Sequence, residues 1–385
     1  MQNKVLLYLP FESDFYRGLY EDIKAGFEEA NCIVEGGYEY LKSEELLQKI
    51  DIFKPDFVFE MNRTKEEIEN FPKDVIHICW LVDYWERKPS QIQGSDILYL
   101  FSKPWLKLHL NFNGKILDTL YAGTNINKYD IQYNSITTSS MLMLGHLPKP
   151  WTIKELNRQI ALEKGKVFLF SELLIYIQKF TINPEGYEDI YPYLENKLHI
   201  KNIQKYIDGV MHYDIDARAF REARRYHVVS NALKSFPNMS LYGNDNWLLR
   251  DEFKSKYKGY LSTREEMNNV FNQHTFLLQD NSIPHFRVFD AMAAGLIVLK
   301  PSNTEFGFDN EYLKFDFKED EEIYTYNLNN IQETINKIKK LPKEKIANLR
   351  FQIREKIKLA HTWKHRAVKI ITDVSKLKSS SILTK

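Results

Sequence analysis

Short apolar runs alternate with amphipathic stretches through the first third of the chain. VLLYLP reads as a buried strand, RGLYEDIKAGFEEAN as a helix with Leu19, Ile23 and Phe27 on one face, and CIVEGGY as a second strand. SEELLQKIDIFKP predicts the next helix, opened by Ser43 and stopped before Pro55, and it leads into DFVFEM. VIHICWLVD, DILYLFS and KILDTLYAG follow as further strands. Strand and helix in alternation imply a mostly parallel sheet covered on both faces.

A polar stretch without periodicity, NKYDIQYNSITTSS, separates this unit from a second series of strands at MLMLGHL, NMSLYGND, HTFLLQD and GLIVLKP. The expected organisation is an N-terminal α/β domain over 1–135 and a second over 136–350. The second is expected to hold a helical insertion at about 160–215, rich in aromatics and without a strand signal. A closing helix and tail over 351–385 is expected to pack back toward the first domain. In open parallel sheets ligands bind outside the carboxyl ends of the strands, so two such domains define a cleft.

Composition narrows the function classes. The 385 residues carry 53 basic and 52 acidic side chains, a net charge of +1, which argues against a coat for nucleic acid or anionic membrane. Cys32 and Cys79 are the two cysteines; their separation supports neither a disulfide framework nor a thiolate zinc site, and fits a reducing compartment. The apolar run after Lys4 stops at Glu12 and is read as a strand and not as a signal peptide. No run approaches the roughly 18–20 apolar residues of a membrane span. The expectation is a cytoplasmic protein, with peripheral membrane contact left open.

The strongest chemical signal is HTFLLQDNSIPHFRVFDAMAAGLIVLKP, residues 274–301. It reads as strand, loop, helix from His285 to Ala294, then strand. The helix start faces the ligand edge, where free N–H groups and the dipole favour an anion such as a diphosphate. Arg287, in the first turn, adds a charge-assisted contact, and His285 is placed to donate to a phosphate. Asp290, one turn on, is suited to the vicinal hydroxyls of a ribose or sugar. His274, His285, His361 and His365 form no spaced metal set, so no metal is expected. G-x-G-x-x-G and the Walker sequence are absent, against a dinucleotide oxidoreductase or a P-loop NTPase.

RVFDAMAAGLIVL resembles the R-x-F-E-x-x-A-x-G stretch of the CgeB-like (spore maturation protein) branch of GT-B glycosyltransferases, related to the E-A-x-A-x-G segment of the glycosyltransferase group 1 family. Other pieces stand in the order that family requires. In the first domain these are YLKSEELLQKIDIFKPDFVFEM, VIHICWLVDYW and ILDTLYAGTNINKY. In the second they are SMLMLGHLPKPW, MSLYGNDNW, YKGYLSTREEM and the closing AHTWKHRA. The resemblance spans nearly the whole chain outside about 160–215.

It implies a GT-B fold, two Rossmann-like domains facing a cleft, and transfer of a sugar from a nucleotide-sugar co-substrate to a glycan, lipid-linked or protein acceptor, with no cofactor and no metal. Arg287, His285 and Lys149 then hold the donor diphosphate. Asp290, in the position of the family's second glutamate, and Ser282, in that of its first, face donor ribose or sugar. Gly243, Trp247 and Tyr260 border the base, and Asp83, after the HICWLV strand, is the candidate catalytic base, with Glu12 and Asp14 weaker candidates. Ser282 and the shortened Asp290 depart from the retaining E-x7-E pattern, which leaves stereochemistry open. The alternatives are a non-catalytic GT-B-like sugar-binding or structural protein and, last, a nucleotide-sugar epimerase.

Overall fold

Short apolar runs build the first sheet, and its central strands are the most deeply buried. The computed structural model describes residues 2–84, 87–132, 140–161, 167–187, 189–281, 285–302 and 317–383. In chain order the first layer set is β1 (Asn3–Tyr8), α1 (Asp14–Glu29), β2 (Cys32–Gly37), α2 (Ser43–Phe53), β3 (Phe57–Met61), β4 (Ile76–Leu81), β5 (Ile97–Leu100) and β6 (Ile116–Thr119). The strands lie in the order β2-β1-β3-β4-β5-β6, all parallel. All residues of β3 and β5 are buried, as a sheet covered on both faces requires. Ser13 caps α1 by accepting the Tyr16 N–H.

The second unit begins with β7 (Met141–Leu144), α3 (Ile153–Leu156), β8 (Gln159–Ala161) and β9 (Val167–Leu169). Then come α4 (Phe170–Ile182), α5 (Ile190–Leu198), α6 (Gly209–Tyr213), a π-helical turn at Asp214–Ala219 and α7 (Phe220–Ser235). The series continues with β10 (Ser240–Tyr242), α8 (Asp251–Lys254), α9 (Arg264–Asn272), β11 (Phe276–Leu278), α10 (Phe286–Ala293), β12 (Ile297–Pro301) and β13 (Tyr324–Tyr326). Five strands form a second parallel sheet, β10-β7-β11-β12-β13. The architecture is α/β with two Rossmann-like parallel sheets and a helical C-terminal region.

One local expectation is corrected, and two short segments complete the picture. The insertion is not wholly helical: β8 and β9 pair as an antiparallel hairpin, and the segment closes over its own core of Phe170, Leu173, Ile177, Tyr193 and Leu194. The YKGYLS segment adds a single bridge, Leu241 to Tyr257, and no strand. β13 has only three residues, too few to register as an apolar run, yet it completes the second sheet.

α11 (Ile331–Lys339) and α12 (Lys343–Ala360) belong to the second unit, and α13 (Trp363–Leu383) crosses to the first. On α13, Asp373 accepts from the Tyr99 hydroxyl at 2.8 Å and Lys369 reaches Asp118 at 2.5 Å. α13 meets α1 at Gly26, where an added Cβ would lie 2.5 Å from the Trp363 carbonyl carbon; only glycine permits that approach. An aromatic cluster joins the domains. Phe286 at the start of α10 packs on Phe15 at 5.5 Å, Trp80 at 5.7 Å and Phe101 at 5.3 Å between ring centroids, and Trp363 packs on Trp80 at 5.6 Å. Among the described residues no helix is long and apolar enough to cross a membrane.

Candidate functional site

β7, β10 and β11 end side by side, and the chain turns out of them at Gly145, Gly243 and Gln279. At Gly243, φ is +145° and an added Cβ would fall 2.1 Å from the Gly145 carbonyl oxygen. Glycine is therefore required for the two strand ends to close together. The Gly243 expectation resolves into this structural role. Trp247, expected to border the base, is turned inward. It is fully buried, donates its indole N–H to the Gly145 carbonyl at 2.8 Å and packs edge-on against Phe253 at 5.4 Å. A buried tryptophan needs such an acceptor, and the glycine-lined strand end supplies it.

The sheet edge gathers cations. Arg225, from α7, donates through Nε to Asp280 at 2.7 Å and through a terminal nitrogen to the His146 carbonyl. Both side chains of the Arg225–Asp280 pair are buried. Arg287, in the first turn of α10, donates to Gln279 at 3.4 Å and stands 3.8 Å from Asp280. Burial, reinforced by the Arg225 charge, pulls the Arg287 pKa down to about 10, against the pull of Asp280. Arg221 adds to the same field. Burial, followed by the Arg287 and Arg225 charges, drives His285 well below its ordinary value, and burial with the same arginines lowers His146. Both imidazoles are neutral at physiological pH. Asp280, whose carboxyl is held low by Arg225 and Arg287 in spite of its burial, is the carboxylate that pairs with both arginines. Gln279 Nε2 and His285 Nδ1 are buried and have no hydrogen-bond partner among the described residues.

The arrangement is a cluster of excess positive charge at a helix start, with Gln279 Nε2 and His285 Nδ1 left without hydrogen-bond partners among the described residues. Arg287 and His285 stand together at the start of α10. Arg225 and Asp280 are additions. Asp280 had a legible signal, a polar Gln-Asp pair directly after a buried strand at the ligand edge; Arg225, within REARRYH on a helix, had none.

The other expected residues fall differently. Lys149 is exposed, and it is its carbonyl that is engaged, by Arg218 at 3.2 Å. Tyr260 is 54% exposed, with its ring 5.8 Å from that of His146. It lines a cavity of about 660 Å³ whose other walls are Phe15, Arg17 and Gly18 of α1 and Leu261, Arg264 and Met267 before and on α9. Asp83 is exposed beyond β4, where its backbone N–H donates to Asn62 at 2.9 Å. Burial, then the Asp83 charge, pushes the neighbouring Tyr16 hydroxyl up to about 12. Ser282 lies outside the described residues. Asp290 is 3% exposed and turned into the domain junction, accepting from Thr124 at 2.7 Å and lying 3.5 Å from Arg264. Its carboxylate is held by the protein and not presented to the cavity.

One constellation imitates a nucleophilic triad. Ser95, His77 and Glu60 are linked at 3.0 and 3.1 Å. All three are buried, and the Ser95 hydroxyl accepts the Lys65 N–H, so it ties β3 to β4 and offers no nucleophile to a substrate. Among the described residues no group of three or more His, Cys, Asp or Glu side chains is arranged to hold a metal ion.

Comparison with solved structures finds similarity over most of the chain at low identity. The glycosyltransferase from Rickettsia africae ESF-5 is 9% identical over 97% of this chain and 98% of that one, with a TM-score of 0.48. WaaG, a glycosyltransferase involved in lipopolysaccharide biosynthesis, is 9% identical over 96% and 99%, with a TM-score of 0.45. The S. aureus MnaA–UDP co-structure is 11% identical over 98% and 97%, with a TM-score of 0.43. No curated protein sequence matches. Residues 218–372, from the π-helical turn before α7 to within α13, match the family described as "Glycosyl transferase-like". This matched segment contains Arg225, Asp280, His285, Arg287 and Asp290.

Proposed function

We propose that the chain is a glycosyltransferase of the GT-B type, related to the group 1 and CgeB-like enzymes, that uses a nucleoside diphosphate sugar as donor. The reading rests above all on the Arg225–Asp280–Arg287 cluster at the start of α10. A leaving nucleoside diphosphate develops negative charge on its phosphate oxygens, and fixed cations with helix N–H groups lower the barrier where that charge appears. Arg287, Arg225 and the α10 start hold the diphosphate in this reading, and neutral His285 donates to a phosphate oxygen. The nucleoside extends toward Tyr260, and the acceptor hydroxyl approaches from the first domain. If the displacement inverts, Asp83 takes the acceptor proton as general base. The acceptor class is a glycan, a lipid-linked glycan or a protein, and the protein acts in the cytoplasm, in solution or at a membrane surface.

A thermal-shift panel of nucleoside diphosphates and their sugars tests the donor class, since a ligand that binds only the native state raises its stability. Arg287→Ala is expected to lower donor affinity at least tenfold by calorimetry and to abolish transfer. Unchanged affinity and unchanged transfer would remove the site assignment. The engagement of Asp290 in the domain junction favours a second reading, a nucleotide-sugar-binding protein without catalysis. Slow hydrolysis of one donor in the panel rules that reading out.

A further inference from the structure

Three arginines follow one another along the helix that leads from the insertion into the second sheet: Arg218 in the π-helical turn, Arg221 in the first turn of α7 and Arg225 one turn on. Spacings of three and four residues set them in a row on one side. The two outer members reach the same loop, the one that leaves β7 at the ligand edge. Arg225 donates to the His146 carbonyl and, through Nε at 2.7 Å, to Asp280. Arg218 donates to the Lys149 carbonyl at 3.2 Å and to Glu155 at 2.5 Å, and its guanidinium lies 3.7 Å from the centre of the Trp151 ring. Arg221 stands between them over that loop, yet it is exposed and engages no partner among the described residues.

The position of Arg221 is fixed by the fold. α7 precedes β10, which lies parallel to β7, so the helix runs from the carboxyl edge of the sheet back to its amino edge. Arg221 is therefore one turn, about 5.4 Å, nearer the ligand edge than Arg225. Phe220, beside it, packs edge-on against Phe180 of α4 at 5.6 Å, and the insertion thereby sets where α7 starts. The Arg221 charge is felt at His146, His285 and Arg287, after burial and the other arginines.

We propose that Arg221 makes this site select two phosphates over one, by binding the second ionised phosphate of a nucleoside diphosphate donor while Arg225, Arg287 and the start of α10 hold the first. The inference rests on the donor reading given above and deepens it. Arg225 and Arg287 face the single carboxylate of Asp280, which leaves an excess of one positive charge. One ionised phosphate, as in a nucleoside monophosphate sugar, satisfies that excess. The bridge of a nucleoside diphosphate sugar carries two ionised oxygens, and Arg221 raises the excess to two. Because it holds no other partner, its engagement breaks no existing contact. Arg224 adds to the field at Asp280 but not at Arg287. Gln279 Nε2 and His285 Nδ1, buried and without partners, are neutral groups left for the remaining phosphate oxygens.

Calorimetry in metal-free buffer tests this with pyrophosphate against inorganic phosphate, and with the di- and monophosphates of uridine, guanosine, adenosine, cytidine and thymidine. The wild type is expected to bind a diphosphate at least about tenfold more tightly than the matching monophosphate, the worth of one charged hydrogen bond. Arg221→Gln should lower diphosphate affinity about tenfold and leave monophosphate affinity within about twofold, so that the preference collapses. Arg221→Lys, which keeps the charge, should restore most of it. Glutamine is a good helix former and the site is exposed, so without added ligand Arg221→Gln should melt as the wild type does. Equal losses for mono- and diphosphate, or an unchanged diphosphate affinity in Arg221→Gln while Arg287→Ala abolishes binding, overturns the inference and leaves the donor reading standing. A wild-type chain that binds none of these ligands removes the donor reading and this inference with it.

Discussion

Asp280→Asn separates a counterion from a ligand contact. Asp280 accepts from Arg225 at 2.7 Å and stands 3.8 Å from Arg287, so it neutralises the field that a bound diphosphate would also neutralise. Replacing it by the isosteric amide keeps an acceptor for Arg225 and removes the charge. Breaking a buried pair in this way costs about 3 kcal/mol, which lowers the melting temperature of a 385-residue chain that unfolds as one unit by about 4 °C. The effect on anion binding has the opposite sign. A carboxylate about 6 Å from a unit negative charge opposes it by roughly 3 kcal/mol at an effective dielectric near 20. If solvent screening halves that figure, affinity still rises about tenfold. The assay is a melting series of wild type and Asp280→Asn with increasing pyrophosphate, then with a nucleoside diphosphate. The variant should start lower and gain more per increment of ligand. A variant that starts lower and gains less would mean that Asp280 orients the arginines for the ligand, and the counterion argument would be wrong.

Three further substitutions probe the surrounding architecture. Trp247→Phe removes the indole donor to the Gly145 carbonyl and should cost about 1–2 kcal/mol of stability with nucleotide affinity by calorimetry unchanged; lowered affinity in a stably folded variant would return Trp247 to the ligand site. Gly26→Ala forces a Cβ against the Trp363 backbone and should destabilise the α1–α13 contact by about 1–3 kcal/mol, read as faster hydrogen exchange confined to those two helices; unchanged exchange in α13 counts against the contact. Burial works against ionised Glu60, but hydrogen bonds from His77 and Arg63 outweigh it and hold its carboxyl below the usual range. Its contribution to stability is therefore present above the ordinary carboxylate pKa and lost as pH falls through the folded value. Glu60→Gln should cost about 3 kcal/mol at pH 7 and flatten the acid limb of the stability curve below about pH 4.5, and an unaltered limb refutes this.

The sequence was legible where local pattern and tertiary role coincide. Each central strand of both sheets is a short run buried on two faces, which reads as a parallel strand without any knowledge of its neighbours. Arg287 and His285 were legible because a strand-loop-helix unit fixes where the helix start must lie. Arg225 was not, since facing Asp280 depends on how α7 is laid on the sheet, 55 residues away in sequence. Trp247 was misplaced for the related reason that GNDNW reads as a loop at a ligand edge, while the acceptor that draws its ring inward is a carbonyl on another strand. Asp290 was located on the right helix and turn, yet its partners Asp22, Arg264 and Thr124 come from segments that no spacing rule connects.

The two charged clusters also explain each other. Around Asp280 the arginines exceed the carboxylates and the histidines are neutral, so the cluster lacks an anion. Around Arg264 two carboxylates, Asp22 and Asp290, face two cations, Arg264 and Lys128, so the charges of that cluster balance. In the proposed reading charge excess, and not burial or the number of polar groups, separates the donor site from the structural contact. Arg287 and Asp290 are three residues apart on one eight-residue helix, so each belongs to a different cluster within a single turn. An anion drawn to the start of α10 acts on the same rigid element whose next turn holds the domains together.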